Sequence, residues 1–136
     1  MTYDVVALLE RMPSDEDALA ALAATGTEHR VRAVSGGVVI QLCDEDDMPL
    51  VSIDAPMYIQ APGEPLRLFG SAYADVPVPM WWVEIRAATR DGCSQLAWRY
   101  AEELVDRAGG RIWAPPPAAG KGAAGKGAAG MGAADA

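Results

Sequence analysis

The chain has 136 residues, half of them apolar, with 19 acidic and 11 basic side chains and a net charge of −8. That length fits one domain with its own core, and no apolar run approaches the ~20 residues that a membrane-spanning helix needs. Residues 1–114 hold nine Arg, no Lys and eighteen acids, a field that repels phosphate backbones and counts against nucleic acid while favouring a basic protein partner.

The start of the chain has no basic stretch followed by an apolar run; Asp4 and Glu10 flank a short apolar segment instead. The expected location is therefore the cytoplasm. There, Cys43 and Cys93, fifty residues apart and outside any C-x-x-C spacing, are expected as reduced core thiols, with a single Cys–Cys pair left open.

Thr2 to Leu9 reads as a first strand, with Tyr3, Val5 and Val6 supplying β propensity. Val5, Leu8, Leu9 and Met12 also fit a helical stripe, but Pro13-Ser14 opens a better helix directly afterwards. Ser14 is a good N-cap, and Asp15, Glu16 and Asp17 set negative charge at the positive end of the dipole. Leu19, Leu22 and Ala23 are the expected inner stripe of this helix over 15–24, and Gly26 ends it.

A meander follows. Arg30-Val31-Arg32-Ala33-Val34 alternates, Gly36-Gly37 turns, and Val38 to Leu42 returns. Asp44, Glu45, Asp46 and Asp47 form an acidic tip before the strand Leu50-Val51-Ser52-Ile53. Pro62-Gly63 introduces a short helix over 64–69. The Pro-rich approach Val76 to Pro79 leads into Met80-Trp81-Trp82-Val83-Glu84-Ile85-Arg86-Ala87. As a strand, this segment puts Trp81, Val83, Ile85 and Ala87 on one face and Trp82, Glu84, Arg86 and Ala88 on the other.

Burying one Trp removes about 150–250 Å² from water, about 4–6 kcal/mol at ~25 cal/mol per Å². An indole on a face shared with Glu84 and Arg86 therefore calls for a cover, either a helix of this chain or a partner. Residues 92–108 repeat Cys93, Leu96, Ala97, Tyr100, Leu104 and Ala108 at helical spacing, with Arg99, Glu102, Glu103 and Asp106 on the other side. Gly109-Gly110 stops that helix, and Arg111-Ile112-Trp113 reads as an edge strand. Residues 1–114 are expected to be the single domain. From Pro115 onward the Pro, Gly, Ala and Lys composition predicts a disordered tail over 115–136.

The spacings that suggest chemistry are weak. Gly120, Gly125 and Lys126 match part of a phosphate-binding loop, but Gly127 stands where Ser or Thr is required and no helix pattern follows. The acidic tip lacks the glycine and bidentate acid of a calcium loop, so it is read as a solvated turn or as a docking patch for a basic partner. Cys93 at a helix start with the lone His29 is a minor nucleophile reading, and one His excludes multi-His metal sites. No cofactor, metal or catalytic residue is expected. The expected partner-binding residues are Trp82, Glu84, Arg86, Asp44, Glu45, Asp46 and Asp47.

Tyr3-Asp4-Val5-Val6-Ala7-Leu8, Gln41-Leu42, Leu50 to Pro56, Pro62-Gly63-Glu64 and Val78 to Glu84 together resemble the N-terminal part of an uncharacterised actinobacterial family encoded near type VII (ESX-like) secretion genes. Longer members of that family continue into a second domain, and the resemblance carries no catalytic residues. It implies a cytosolic accessory of a secretion locus. The expected fold is α+β: a mainly antiparallel sheet of five or six strands with helices 15–24 and 92–108 on one face. The expected function is a non-enzymatic protein-interaction module. An immunity protein against a secreted toxin and a small thiol- or carboxylate-dependent enzyme are the alternatives.

Overall fold

The structure, a computed structural model, describes residues 2–114. The expected tail over 115–136 and the Gly120, Gly125, Lys126 spacing lie outside the described residues. Among the described residues, seven antiparallel strands form one sheet. They are β1 (Thr2–Leu9), β2 (Arg30–Val34), β3 (Val39–Cys43), β4 (Pro49–Asp54), β5 (Met57–Ile59), β6 (Met80–Ala88) and β7 (Gly110–Trp113). The order is β2-β3-β4-β6-β1-β7, with β5 paired to β6 beside β4. Short β5 is the strand that the sequence reading omits, because three residues between Pro56 and Pro62 carry too little pattern to register.

The helices are α1 (Asp15–Ala24), α2 (Glu64–Phe69) and α3 (Cys93–Ala108). The long helix α3 lies over β1, β6 and β7 and touches β4, and α1 packs beside it. Their shared core takes Val5, Ala7 and Leu9 from β1, Val83, Ile85 and Ala87 from β6, and Leu96, Tyr100 and Leu104 from α3. β1 is buried from Val5 to Leu9 because both of its faces are covered. That explains why its sequence is a continuous apolar run rather than an alternation.

α1 starts with a reciprocal cap. Ser14 Oγ accepts from the Asp17 backbone N–H at 3.1 Å, and Asp17 Oδ2 accepts from the Ser14 N–H at 2.9 Å. Of the expected inner stripe Leu22 packs against the main core, but the rest of the inward face differs. Asp17, Ala21 and Thr25 are buried at i, i+4 and i+8, whereas Leu19 is 65% exposed and Ala23 faces water. Arg11 (2.9 Å) and Arg107 (2.8 Å) grip the Asp17 carboxylate, and this pull fixes the rotation of a helix with little amphipathic preference of its own. Gly26, at φ +109°, ends it as expected.

A second, smaller core lies on the sheet face away from α1 and α3. Val6, Leu8, Ile59 and Met80 are covered there by Phe69 of α2, by Tyr73 of the 3-10 turn Ser71–Tyr73 that follows it, and by Val76 in the segment leading to β6. The expectation of helices on one face holds for α1 and α3, and α2 caps one part of the other face.

Candidate functional site

The two adjacent indoles leave β6 on opposite sides. Trp81 borders the main core and stacks on Tyr58, with ring centroids 4.6 Å apart. Trp82 enters the second core, 4.6 Å from the ring of Phe69. The cover that Trp82 requires is therefore this chain's own α2. Trp82 is thus not freely exposed: it is half-buried, and its indole N–H is buried without a hydrogen-bond partner among the described residues.

Beyond the second core the same face stays open, and strand register organises it. Asp4 of β1 stands opposite Arg86 of β6, Arg86 opposite Ser52 of β4, Ser52 opposite Gln41 of β3, and Gln41 opposite Arg32 of β2. One polar row thus crosses five neighbouring strands. Each member sits between two apolar residues in sequence: Tyr3-Asp4-Val5, Ile85-Arg86-Ala87, Val51-Ser52-Ile53, Ile40-Gln41-Leu42 and Val31-Arg32-Ala33. On the helix side those neighbours form two continuous apolar rows, Val31–Leu42–Val51–Ala87–Tyr3 and Ala33–Ile40–Ile53–Ile85–Val5. Burying the apolar rows obliges the polar one to face outward.

Side-chain bonds run along the row. Arg32 donates to Gln41 Oε1 at 2.8 Å, and Gln41 Nε2 donates to Ser52 Oγ at 3.3 Å. Arg86 is held by Asp54 at 3.0 Å and Glu84 at 2.9 Å. Burial works against the Arg86 charge, but Glu84, Asp54 and Asp4 outweigh it and leave its pKa raised. The site therefore brings Glu84 and Arg86 together as expected and adds Asp4, Arg32, Gln41, Ser52 and Asp54. The apolar–polar–apolar triplets are a sequence signal for all of these, Ile53-Asp54-Ala55 included; what aligns them is non-local pairing.

The acidic tip is a separate structure. Asp44 Oδ1 accepts the backbone N–H groups of Asp46 and Met48, each at 2.9 Å, and its Oδ2 pairs with Arg90 at 2.9 Å. The hydrogen bond from Arg90 is the main reason that the Asp44 carboxyl lies below its usual range. Asp47, at φ +63°, pairs with Arg30 at 3.2 Å. Glu45 and Asp46 are exposed and make no ion pair among the described residues. No group of three or more His, Cys, Asp or Glu side chains among the described residues is arranged to hold a metal ion.

His29 and Cys93 both line an open cleft of about 620 Å³ with Asp44, Arg90, Leu96 and Arg99. The geometry does not couple them as base and nucleophile. His29 Nε2 is 3.2 Å from the Thr25 carbonyl, and burial pushes the Cys93 thiol upward, away from the thiolate that a nucleophile needs. Cys43 and Cys93 are both buried and unbridged. No helix of the described residues is long and apolar enough to cross a membrane. Comparison with protein-family models, curated proteins and solved structures finds nothing that matches this chain.

Proposed function

We propose that this protein is a non-enzymatic interaction module of the cytosol that holds another protein against the open face of its sheet. The observation that carries this reading is the uncovered row Asp4–Arg86–Ser52–Gln41–Arg32. Its side chains are already held by Gln41, Ser52, Asp54 and Glu84, so little conformational freedom is lost when a partner meets it. A half-buried Arg with satisfied geometry is a common anchor in protein interfaces. The resemblance to a family encoded near type VII secretion genes supports a partner from such a locus, and the acidic composition supports a basic one.

Ser52 lies at the centre of the row, and its side chain bonds only to Gln41 among the described residues, so a large side chain there should block the face without disturbing either core. Capture of partners by the wild-type chain and by Ser52→Arg, both folded by circular dichroism, tests the reading. The variant should lose a specific partner by about 2 kcal/mol, roughly thirtyfold. Capture unchanged by Ser52→Arg, and equally by Arg86→Glu, would remove the open face from consideration.

Glu45 and Asp46, which carry no ion pair among the described residues, support a second reading. The acidic tip would enter the basic cleft of a secreted toxin, making the chain an immunity protein. Co-expression with a toxin encoded beside it should restore growth, and Glu45→Lys with Asp46→Lys should cancel the rescue.

A further inference from the structure

The polar row ends at an open strand. Among the described residues β2 pairs with β3 alone, and its residues from Arg30 to Ala33 are exposed on both faces, with Val31 54% exposed. α3 reaches only as far as β4, so Val31 and Ala33 extend the two apolar rows past the helix that covers them elsewhere. Among the described residues no bulge, proline or covering loop closes this edge, although these are common protections of an outer strand.

The chemistry of the edge restricts what can pair with it. Arg32 makes one side-chain hydrogen bond, to Gln41, and no ion pair among the described residues. Among the described residues it is thus a cation without a carboxylate partner. A second copy fits poorly, because the antiparallel two-fold pairing that uses all of β2 sets Arg32 against Arg32, and like charges opposite one another are destabilising. A strand from a different protein fits if it repeats the triplet of this sheet with the sign reversed, a carboxylate opposite Arg32 and apolar residues opposite Val31 and Ala33.

Resting on the reading of the open face as the contact surface, we infer that β2 receives an extended apolar–acidic–apolar segment of the partner as an added strand. Main-chain hydrogen bonds would supply affinity, and the Arg32 position would supply selectivity. The carboxylate would end the row from Asp4 in a sixth strand, and the flanking apolar residues would widen the two rows on the helix side.

The test uses the full chain and three seven-residue peptides, acetylated and amidated: Lys-Thr-Val-Glu-Val-Thr-Lys and its counterparts with Gln or Lys replacing the central Glu. Titrations are followed by backbone amide shifts and hydrogen exchange. The Glu peptide should bind at least about fivefold tighter than the Lys peptide and protect amides of residues 30–34, and Arg32→Glu should invert that preference. Equal binding of the three peptides, protection confined to other strands, or peptide-free protection of β2 that grows with protein concentration would each overturn the inference. The two readings fail separately. Failure at β2 while Ser52→Arg still abolishes partner capture removes the added strand and keeps the open face. Success at β2 with capture unaffected by Ser52→Arg does the reverse.

Discussion

Trp82 and Phe69 pack ring against ring, with centroids 4.6 Å apart and planes tilted by 47°, and this contact joins α2 to the sheet. Phe69 also meets Trp113 at 5.2 Å and Tyr73 at 5.6 Å, so four aromatic rings from three separated segments close the second core. Trp82→Ala should therefore destabilise the fold by about 2–3 kcal/mol, below the full-burial cost because the ring is half-buried. Urea unfolding checks this. A variant as stable as the wild type would return Trp82 to the contact surface.

Asp17 of α1 binds Arg107 of α3, ninety residues away in sequence, and this link between the helices is sensitive to acid. The Ser14 backbone N–H, then Arg107 and Arg11, hold its carboxyl far below the usual carboxylate range. A carboxyl with a depressed folded-state pKa adds stability that is fully present above its unfolded value, near 4. That contribution is lost as pH falls through the folded value. Thermal melts from pH 7 to pH 2 should show stability declining below about pH 5. Asp17→Asn should melt lower at neutral pH and show a shallower acid slope. Equal slopes in the two proteins would assign the acid sensitivity to other carboxylates.

Much of this architecture is legible in the sequence because local chemistry and tertiary placement agree. Ser14 with Asp17, the periodic stripe from Cys93 to Ala108, and the alternation in Met80 to Ala88 each specify an element whose observed bounds differ by no more than a residue. α1 is the instructive departure. Its Ala-rich sequence gives no strong apolar side, so two arginines from elsewhere choose its rotation, and Leu19 ends outside. The candidate face is legible strand by strand as apolar–polar–apolar triplets. That Asp4, Arg86, Ser52, Gln41 and Arg32 stand in one row depends on the β1–β6 and β4–β6 pairings, which join residues more than thirty positions apart. No local pattern encodes that register.

Cys93 should be inert in the native protein. Its residue is 2% exposed beneath the start of α3, and burial raises its thiol pKa. Labelling with a thiol reagent at pH 8 should be at least about a hundredfold slower in buffer than in 8 M urea, limited by opening of the fold. Rapid native labelling at Cys93 would revive the thiol-enzyme alternative.

Gly110 sits where the chain leaves α3 and joins β7, at φ +124° and opposite Leu9 of β1. A Cβ at this position would run into the carbonyl oxygen of Leu8, a backbone atom with no rotamer to yield. Ala also disfavours the positive φ, so two independent costs fall on one methyl group. Gly110→Ala should destabilise by about 3 kcal/mol or more, and it should do so by releasing β7 from β1. The release would unpack Trp113 from Phe69 and shift tryptophan fluorescence toward that of water-exposed indole. By contrast, Gly63→Ala, where a Cβ meets open space, bears only the conformational cost of about 1 kcal/mol. Equal destabilisation by the two substitutions would show that conformation, and not the close approach to Leu8, sets the requirement for glycine at 110.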